Sequence, residues 1–290
     1  MTLQPDYQRY LRLLEIDGVP EGLEGLRRIV RQHLTRVPFE NLSKLFRNRR
    51  GGLRRIPDLP TFLDGIEQLH LGGTCYANNY HLNCLLSALG YEATLCAADM
   101  AQPDVHLASI VRVDGREYVV DAGYGAPFLE PLPRDLDHDC EVTLGTERYL
   151  LKPQDAAGRS RLELHRNGKQ IHGYVLKPAP RRIDEFERVI EDSFAHSATF
   201  MNALVIVRFF PGRSLVLHNL TLIEHEGAAS RVERIPHPTY LPEVIEKRFQ
   251  IPAVVTVCAL SGVSLTHDPW GDSPAPEAGV RVDHSERIRP

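Results

Sequence analysis

Cys75, His106 and Asp121 carry the side chains of an activated thiol: a nucleophile, a base to take its proton, and a carboxylate to fix the base's tautomer and stabilise its charge. Cys75 stands in Gly72-Gly73-Thr74-Cys75-Tyr76-Ala77-Asn78-Asn79, where a two-glycine turn delivers it to the predicted start of a helix. Exposed N–H groups and partial positive charge at a helix N-terminus favour a thiolate over a thiol. Such a thiolate attacks an activated acyl group. Backbone N–H groups at the turn would stabilise the tetrahedral oxyanion, worth roughly 3 to 4 kcal/mol in comparable sites. Each residue also has a plainer use: the cysteine as a small buried hydrophobe, the histidine as a hydrogen-bonded core residue, Asp121 as a cap for the turn at Gly123. Their joint arrangement is what points to chemistry.

The elements that must position them can be read from pattern. After Gly90 the period changes from helical to alternating, and Asp114-Gly115 is the signature of a two-residue hairpin loop. That loop sets Arg112 opposite Glu117, a favourable cross-strand charge pair, and Asp121 opposite Ala108. His106, two residues from Ala108, then shares a face with Asp121 and lies diagonal to it, about 7 to 8 Å between backbones, a gap the side chains can close. The helix and the hairpin are independent readings that converge on one site.

Around this, the first ninety residues predict four amphipathic helices. One carries Tyr7, Tyr10, Leu11 and Leu14; one runs from Pro20 to Pro38; one starts at a Thr61/Asp64 capping box; the last begins near Cys75 with Leu82, Leu85, Leu86 and Leu89 on one face. Arg47, Arg49, Arg50, Arg54 and Arg55 with Gly51-Gly52 read as a basic, solvated loop. Residues 91–181 predict an antiparallel barrel or sandwich. From Arg182 an α/β segment follows, with a helix around Asp184 to Phe194, strands at Ala203 to Phe210 and Ser214 to Glu224, and a helix near Leu241 to Phe249. The tail from His267 is rich in Pro, Asp and Gly and reads as disordered or laid over the surface. The fold class is α+β, divided as 1–90, a helical bundle carrying the nucleophile; 91–181, a β-barrel carrying the histidine and aspartate; and 182–290, an α/β lid with the tail.

Bulk properties bound the function. The 290 residues, 42% hydrophobic and 25% charged, allow a sizeable core, and a net charge of −4 predicts no general affinity for nucleic acid. Five cysteines, an odd number without a Cys-x-x-Cys pair, predict a reducing, cytoplasmic setting. No membrane span and no secretory leader are expected. Cys75, His81 and Cys84 do not space as zinc ligands, so no metal is expected. Oligomeric state is not encoded in these features.

The same residues resemble the arylamine N-acetyltransferases, which share a Cys-His-Asp triad with papain-like proteases and transglutaminases. Val37-Pro38-Phe39-Glu40-Asn41-Leu42 resembles the family's N-terminal motif, Gly72 to Asn79 its nucleophile motif, and Val120-Asp121-Ala122-Gly123-Tyr124-Gly125 its Val-Asp-Val-Gly-Phe-Gly. His106-Leu107 supplies the histidine. The match is good from Val37 to Pro131 and looser beyond. The resemblance implies helical bundle, barrel and lid in that order, and acetyl transfer from acetyl-CoA, a co-substrate, to an arylamine or arylhydrazine through an acetyl-Cys75 intermediate. It carries Phe39, Tyr124 and Gly125 to the acceptor pocket. The Gln102-Pro103-Asp104-Val105 turn before His106 becomes the contact for the CoA pantetheine (Gln102, Pro103) and the acyl group (Val105).

Two positions depart from the family, which has an arginine four residues before the cysteine and a glutamate two after; this chain has Leu71 and Ala77. Joint loss of an ion pair can be nearly neutral, whereas loss of one partner strands a charge. Alternatives within the same chemistry are an amide synthase using a longer acyl thioester and a cysteine hydrolase or transglutaminase-like enzyme. A binding protein without catalysis is the alternative outside it.

Overall fold

A computed structural model of the chain describes residues 3–227 and 229–267. Of the predicted tail, only His267 falls among them. The first segment contains α1 (Pro5–Leu13), α2 (Gly22–Arg36), the short strand β1 (Phe39–Glu40), α3 (Leu42–Gly51), α4 (Leu59–Leu69) and α5 (Cys75–Ala88). Eight strands follow: β2 (Glu92–Asp99), β3 (His106–Val113), β4 (Arg116–Val120), β5 (Leu132–Pro133), β6 (Cys140–Leu144), β7 (Glu147–Leu151), β8 (Ser160–Arg166) and β9 (Lys169–Pro180). The last segment has α6 (Glu187–Asp192), β10 (Val205–Phe210), β11 (Arg213–His218), β12 (Thr221–Glu226), β13 (Ala229–Arg234), α7 (Leu241–Phe249) and α8 (Ala253–Leu260).

The eight strands pair antiparallel in the order β5-β4-β3-β2-β9-β8-β7-β6 and form a nearly closed barrel, in keeping with the expected fold class. The β3–β4 register is the one the Asp114-Gly115 turn dictates: Arg112 faces Glu117, their side chains 2.7 Å apart, and Ser109 faces Val120. α5 packs on β2 and β3, with Leu82, Leu85 and Leu86 buried beneath it. Full burial of such leucines is worth about 2 to 3 kcal/mol each, so this face fixes the helix to the barrel.

Local readings needed revision where a stronger signal lay nearby. α2 starts at Gly22, leaving Pro20 outside it. α4 is capped by Asp58, whose side chain accepts from the Thr61 backbone at 3.0 Å, instead of by the Thr61/Asp64 box, and it ends at His70 in the left-handed region rather than at the glycines. The supposed basic loop is helical as far as Gly51; Leu42 and Leu45 bury one side of α3 against α8, which the sequence reading also lacked. The single strand expected from Ser214 to Glu224 is a hairpin, turning at Asn219 with φ 49°.

β1 pairs with β10, so Phe39–Glu40 joins the five-stranded sheet of the third segment. Asn41 extends the tie: its Nδ2 donates to the carbonyls of Phe200 (2.8 Å) and Ala203 (2.7 Å), and its Oδ1 accepts from the Val205 backbone (2.9 Å). The segment before Cys75 is thus anchored to the five-stranded sheet.

Candidate active site

Cys75 is the first residue of α5, 8% exposed, and Thr74 before it offers the helix no side-chain cap. The N–H groups of the first turn therefore keep the capacity to bind an incoming oxyanion. The approach to this turn is set by backbone packing that only glycine permits. A Cβ on Gly72 would stand 2.0 Å from the Pro38 carbonyl oxygen, and one on Gly73 2.7 Å from Ala77 Cβ. Glu40, fully buried, clamps the turn by accepting from the backbones of Gly72 (3.0 Å) and Ser43 (2.8 Å).

His106 begins β3 and Asp121 ends β4. Across the hairpin, His106 Nε2 meets Asp121 Oδ2 at 2.9 Å, with both side chains almost fully buried. The Asp121 loop reaches Cys75 through Gly123, where a Cβ would lie 2.5 Å from Cys75 Cα. The hairpin pair and the helix-start cysteine thus lie in one place, where the separate readings of helix and hairpin converge. Cys75 Sγ lies 3.9 Å from the Val105 carbonyl, so Val105 stands against the thiol.

Burial alone would lower the His106 pKa; the charge and hydrogen bond of Asp121, with the Cys75 thiol adding to both, outweigh it and hold the imidazole at about 10. Burial would raise Asp121, but His106, Asn79 and the Gly123 backbone keep it below the usual carboxylate range. The imidazolium is then the resting form at neutral pH, the state in which it can keep a thiolate ionised and later protonate a leaving thiolate. The His106 contribution to stability is complete below its unfolded value near 6.5 and is lost as pH rises through about 10. The rate of Cys75 acylation is expected to hold across neutral pH and fall on an alkaline limb near pH 10, measured by stopped-flow release of CoA; a limb below about pH 8 would contradict this assignment.

Asn79, one turn after Cys75, organises the aspartate. Its Nδ2 donates to Asp121 Oδ1 (2.9 Å) and the Leu107 carbonyl (2.6 Å), and its Oδ1 accepts from the Ala122 backbone (2.7 Å). Sequence reasoning left Asn79 without a role, although its i+4 spacing from Cys75 puts both on one helix face. Asn79→Ala removes three buried hydrogen bonds and should cost about 2 to 4 kcal/mol in thermal unfolding. Acylation should slow by roughly 10- to 100-fold as Asp121 loses its fixed orientation; a change within about twofold would show that the aspartate is held without it.

The residues carried to the acceptor pocket separate into two settings. Phe39 packs edge-on against Phe200 at 6.1 Å, and its ring lies 3.1 Å from where a Gly125 Cβ would stand, so Gly125, with φ 77°, makes room for it. Tyr124 is 2% exposed: its ring stands edge-on to His106 at 5.9 Å and its hydroxyl meets His172 Nδ1 at 2.6 Å, which makes it a wall behind the imidazole. Tyr174, which the sequence reading did not single out, lies 4.9 Å from the His106 ring on another side. Gln102 and Pro103 are exposed at the tip of their turn. That turn is pinned through Asp104, which binds Lys177 (2.6 Å) and Arg181 (3.1 Å) and accepts the Tyr76 hydroxyl on its carbonyl (2.8 Å).

His81 is occupied elsewhere, stacked on Phe62 at 4.4 Å and bonded to the Pro57 carbonyl. Among the described residues no cluster of His, Cys, Asp and Glu is arranged to hold a metal ion, and no helix is long and apolar enough to cross a membrane.

The family model described as N-acetyltransferase matches residues 22–256. The chain is 32% identical over 206 residues to the chicken (Gallus gallus) arylamine N-acetyltransferase pineal gland isozyme NAT-3, covering 62% of this chain and 69% of that one. In structure it is similar to the arylamine N-acetyltransferase of Nocardia farcinica (TM-score 0.72, 29% identity, 90% of this chain and 95% of that one). It has the same fold as the Mycobacterium marinum arylamine N-acetyltransferase solved in complex with CoA (TM-score 0.73, 19% identity, 89% and 99%). The protein is an acyltransferase and belongs to the arylamine N-acetyltransferase family.

Proposed function

We propose that this protein moves an acetyl group from acetyl-CoA to the nitrogen of an arylamine or arylhydrazine by a two-step, ping-pong route, with Cys75, His106 and Asp121 as its catalytic residues. The observation that carries the reading is the buried 2.9 Å His106–Asp121 pair set against a cysteine at a helix N-terminus. Family membership supports the acceptor class, and the CoA complex of a fold neighbour supports the donor. In the first step Cys75 Sγ attacks the thioester carbonyl, a C–S bond forms, and CoA leaves as a thiolate protonated by His106. In the second, the amine attacks acetyl-Cys75, its proton passes to His106, and the Cys75 thiolate returns. A thiolate and a thioester of similar basicity exchange readily, and an arylamine is largely unprotonated at neutral pH.

Residues 1–90, 91–181 and 182–290 act in this proposal as the nucleophile-bearing, base-bearing and lid units. Phe39, Tyr124 and Gly125 shape the acceptor side, Val105 borders the acyl group, and Gln102 and Pro103 meet the CoA arm. No metal takes part, and the setting is cytoplasmic. Initial rates at varied acetyl-CoA and arylamine should give parallel double-reciprocal lines; intersecting lines would show direct transfer within a ternary complex and overturn the route.

A further inference from the structure

The turn that leads from β2 into His106 holds a backbone conformation that its own residue type disfavours. Most non-glycine residues in the left-handed region close a helix or a hairpin, as His70 and Asp114 do; Asp104, with φ 59°, instead stands two residues before His106. Left-handed backbone is costly for a residue with a side chain and persists only where its surroundings over-determine it.

The surroundings of Asp104 do so. Asp99, the last residue of β2, accepts the Asp104 backbone N–H on its Oδ1 at 2.9 Å. Lys177 Nζ, from β9, donates to that same Oδ1 (2.7 Å) and to Asp104 Oδ1 (2.6 Å), and Arg181 Nη1 donates to Asp104 Oδ2 (3.1 Å). Burial would raise the Asp104 pKa, but Lys177 and Arg181 outweigh it and keep the carboxylate below its usual range. Arg181 is shared with Glu185 (2.6 Å) and lies 4.9 Å over the Phe186 ring, whereas both carboxylates bound to Lys177 belong to this turn. Among the described residues, Lys177 is the one cation bound to both. Without it, Asp99 and Asp104 would repel each other across the turn.

The conformation held in this way brings two consecutive carbonyls to the start of α5. The Asp104 carbonyl accepts the hydroxyl of Tyr76, the neighbour of Cys75, at 2.8 Å, and the Val105 carbonyl stands 3.9 Å from Cys75 Sγ. His106 follows directly in the chain. The turn therefore sets how the strand bearing the base meets the helix bearing the nucleophile. The His106–Asp121 bond lies across the hairpin and leaves that relation open.

We propose that Lys177 is a positioning residue for the acylation step: by bridging Asp99 and Asp104 it holds the turn that sets Val105 and His106 against Cys75. The proposal rests on the acyl transfer read above and adds a residue of β9 to its machinery. Lys177 acts through Asp104, whose carbonyl reaches α5 at Tyr76.

The test follows acylation of Cys75 in the full chain by stopped flow with two donors, acetyl-CoA and p-nitrophenyl acetate. The second lacks the CoA arm, so any contact of Gln102 and Pro103 with that arm drops out of its rate. Lys177→Met should slow acylation by about tenfold or more with both donors, because a displacement of about 1 Å at a reacting pair costs up to about 100-fold. Its melting temperature should fall by no more than about 3 °C, since the Lys177, Asp99 and Asp104 side chains are 31%, 36% and 24% exposed and such ion pairs add little stability. Asp104→Asn, whose side chain also tolerates the left-handed region, should reproduce the loss. Tyr76→Phe removes the link from the turn to α5, so Lys177→Met/Tyr76→Phe should be slowed by at least about threefold less than the product of the single effects. Slowing with acetyl-CoA alone would make Lys177 part of CoA binding and overturn the proposal. Single effects that multiply in full, or a Lys177→Met rate within about twofold of the wild type, would overturn it equally. Failure of the wild type to be acylated by either donor overturns the underlying reading instead.

Discussion

Cys75→Ala is expected to abolish acyl transfer, lowering kcat/KM by at least about 10⁴-fold, because no other group in the site can form the thioester intermediate. The structure should survive. Cys75 Sγ makes only a weak contact, 3.9 Å to the Val105 carbonyl, and the substitution removes a single atom from a side chain already 8% exposed. The expected cost is about 1 kcal/mol, a fall of roughly 2 to 4 °C in melting temperature for a chain of this size. Calorimetry paired with an anisidine acetylation assay separates the two effects: a folded variant with full activity would remove Cys75 from the mechanism.

Asp121→Asn has the second largest expected effect, and its reason is donor arithmetic. One carboxylate oxygen accepts from Asn79 Nδ2 and the Gly123 backbone, both at 2.9 Å, and the other faces His106 Nε2. An asparagine must aim its NH₂ at one of these sets, where a donor meets a donor, and it carries no charge to hold the imidazolium. Acylation should fall by about 10³- to 10⁴-fold, as in other triads that lose the correct tautomer. With the carboxylate gone, burial is the main influence left on His106, so its pKa should drop and the alkaline limb near pH 10 should move to lower pH. Breaking a buried pair from one side should also cost about 3 to 5 kcal/mol in stability. A residual rate within about tenfold of the wild type would contradict the orienting role of Asp121.

What could be read in advance, and what could not, follows from the range of the forces involved. The His106–Asp121 relation was legible because a two-residue turn fixes strand register, and register fixes which side chains share a face. Cys75 at a helix start was legible from glycines followed by a helical period. Asn79 escaped notice because its partners, Asp121, Leu107 and Ala122, come from the hairpin and become neighbours only when α5 lands on the barrel. The C-terminal half of α3 reads as a basic loop because its arginines mask a short helix whose apolar face gains its value from α8, some two hundred residues later. The β11–β12 turn at Asn219 lacks the usual Gly or Pro signal, so two strands read as one. The burial of Lys44 is the least legible feature: it looks like a surface residue until Ser193 and Phe194 close over it.

The most direct test of the central claim is intact mass of the protein after acetyl-CoA is added, with peptide mapping, before and after anisidine is supplied. One acetyl group on Cys75 that leaves when the amine arrives, as acetylanisidine forms, is the predicted result. No acetyl on Cys75, or an acetyl that the amine does not remove, would contradict transfer through this cysteine.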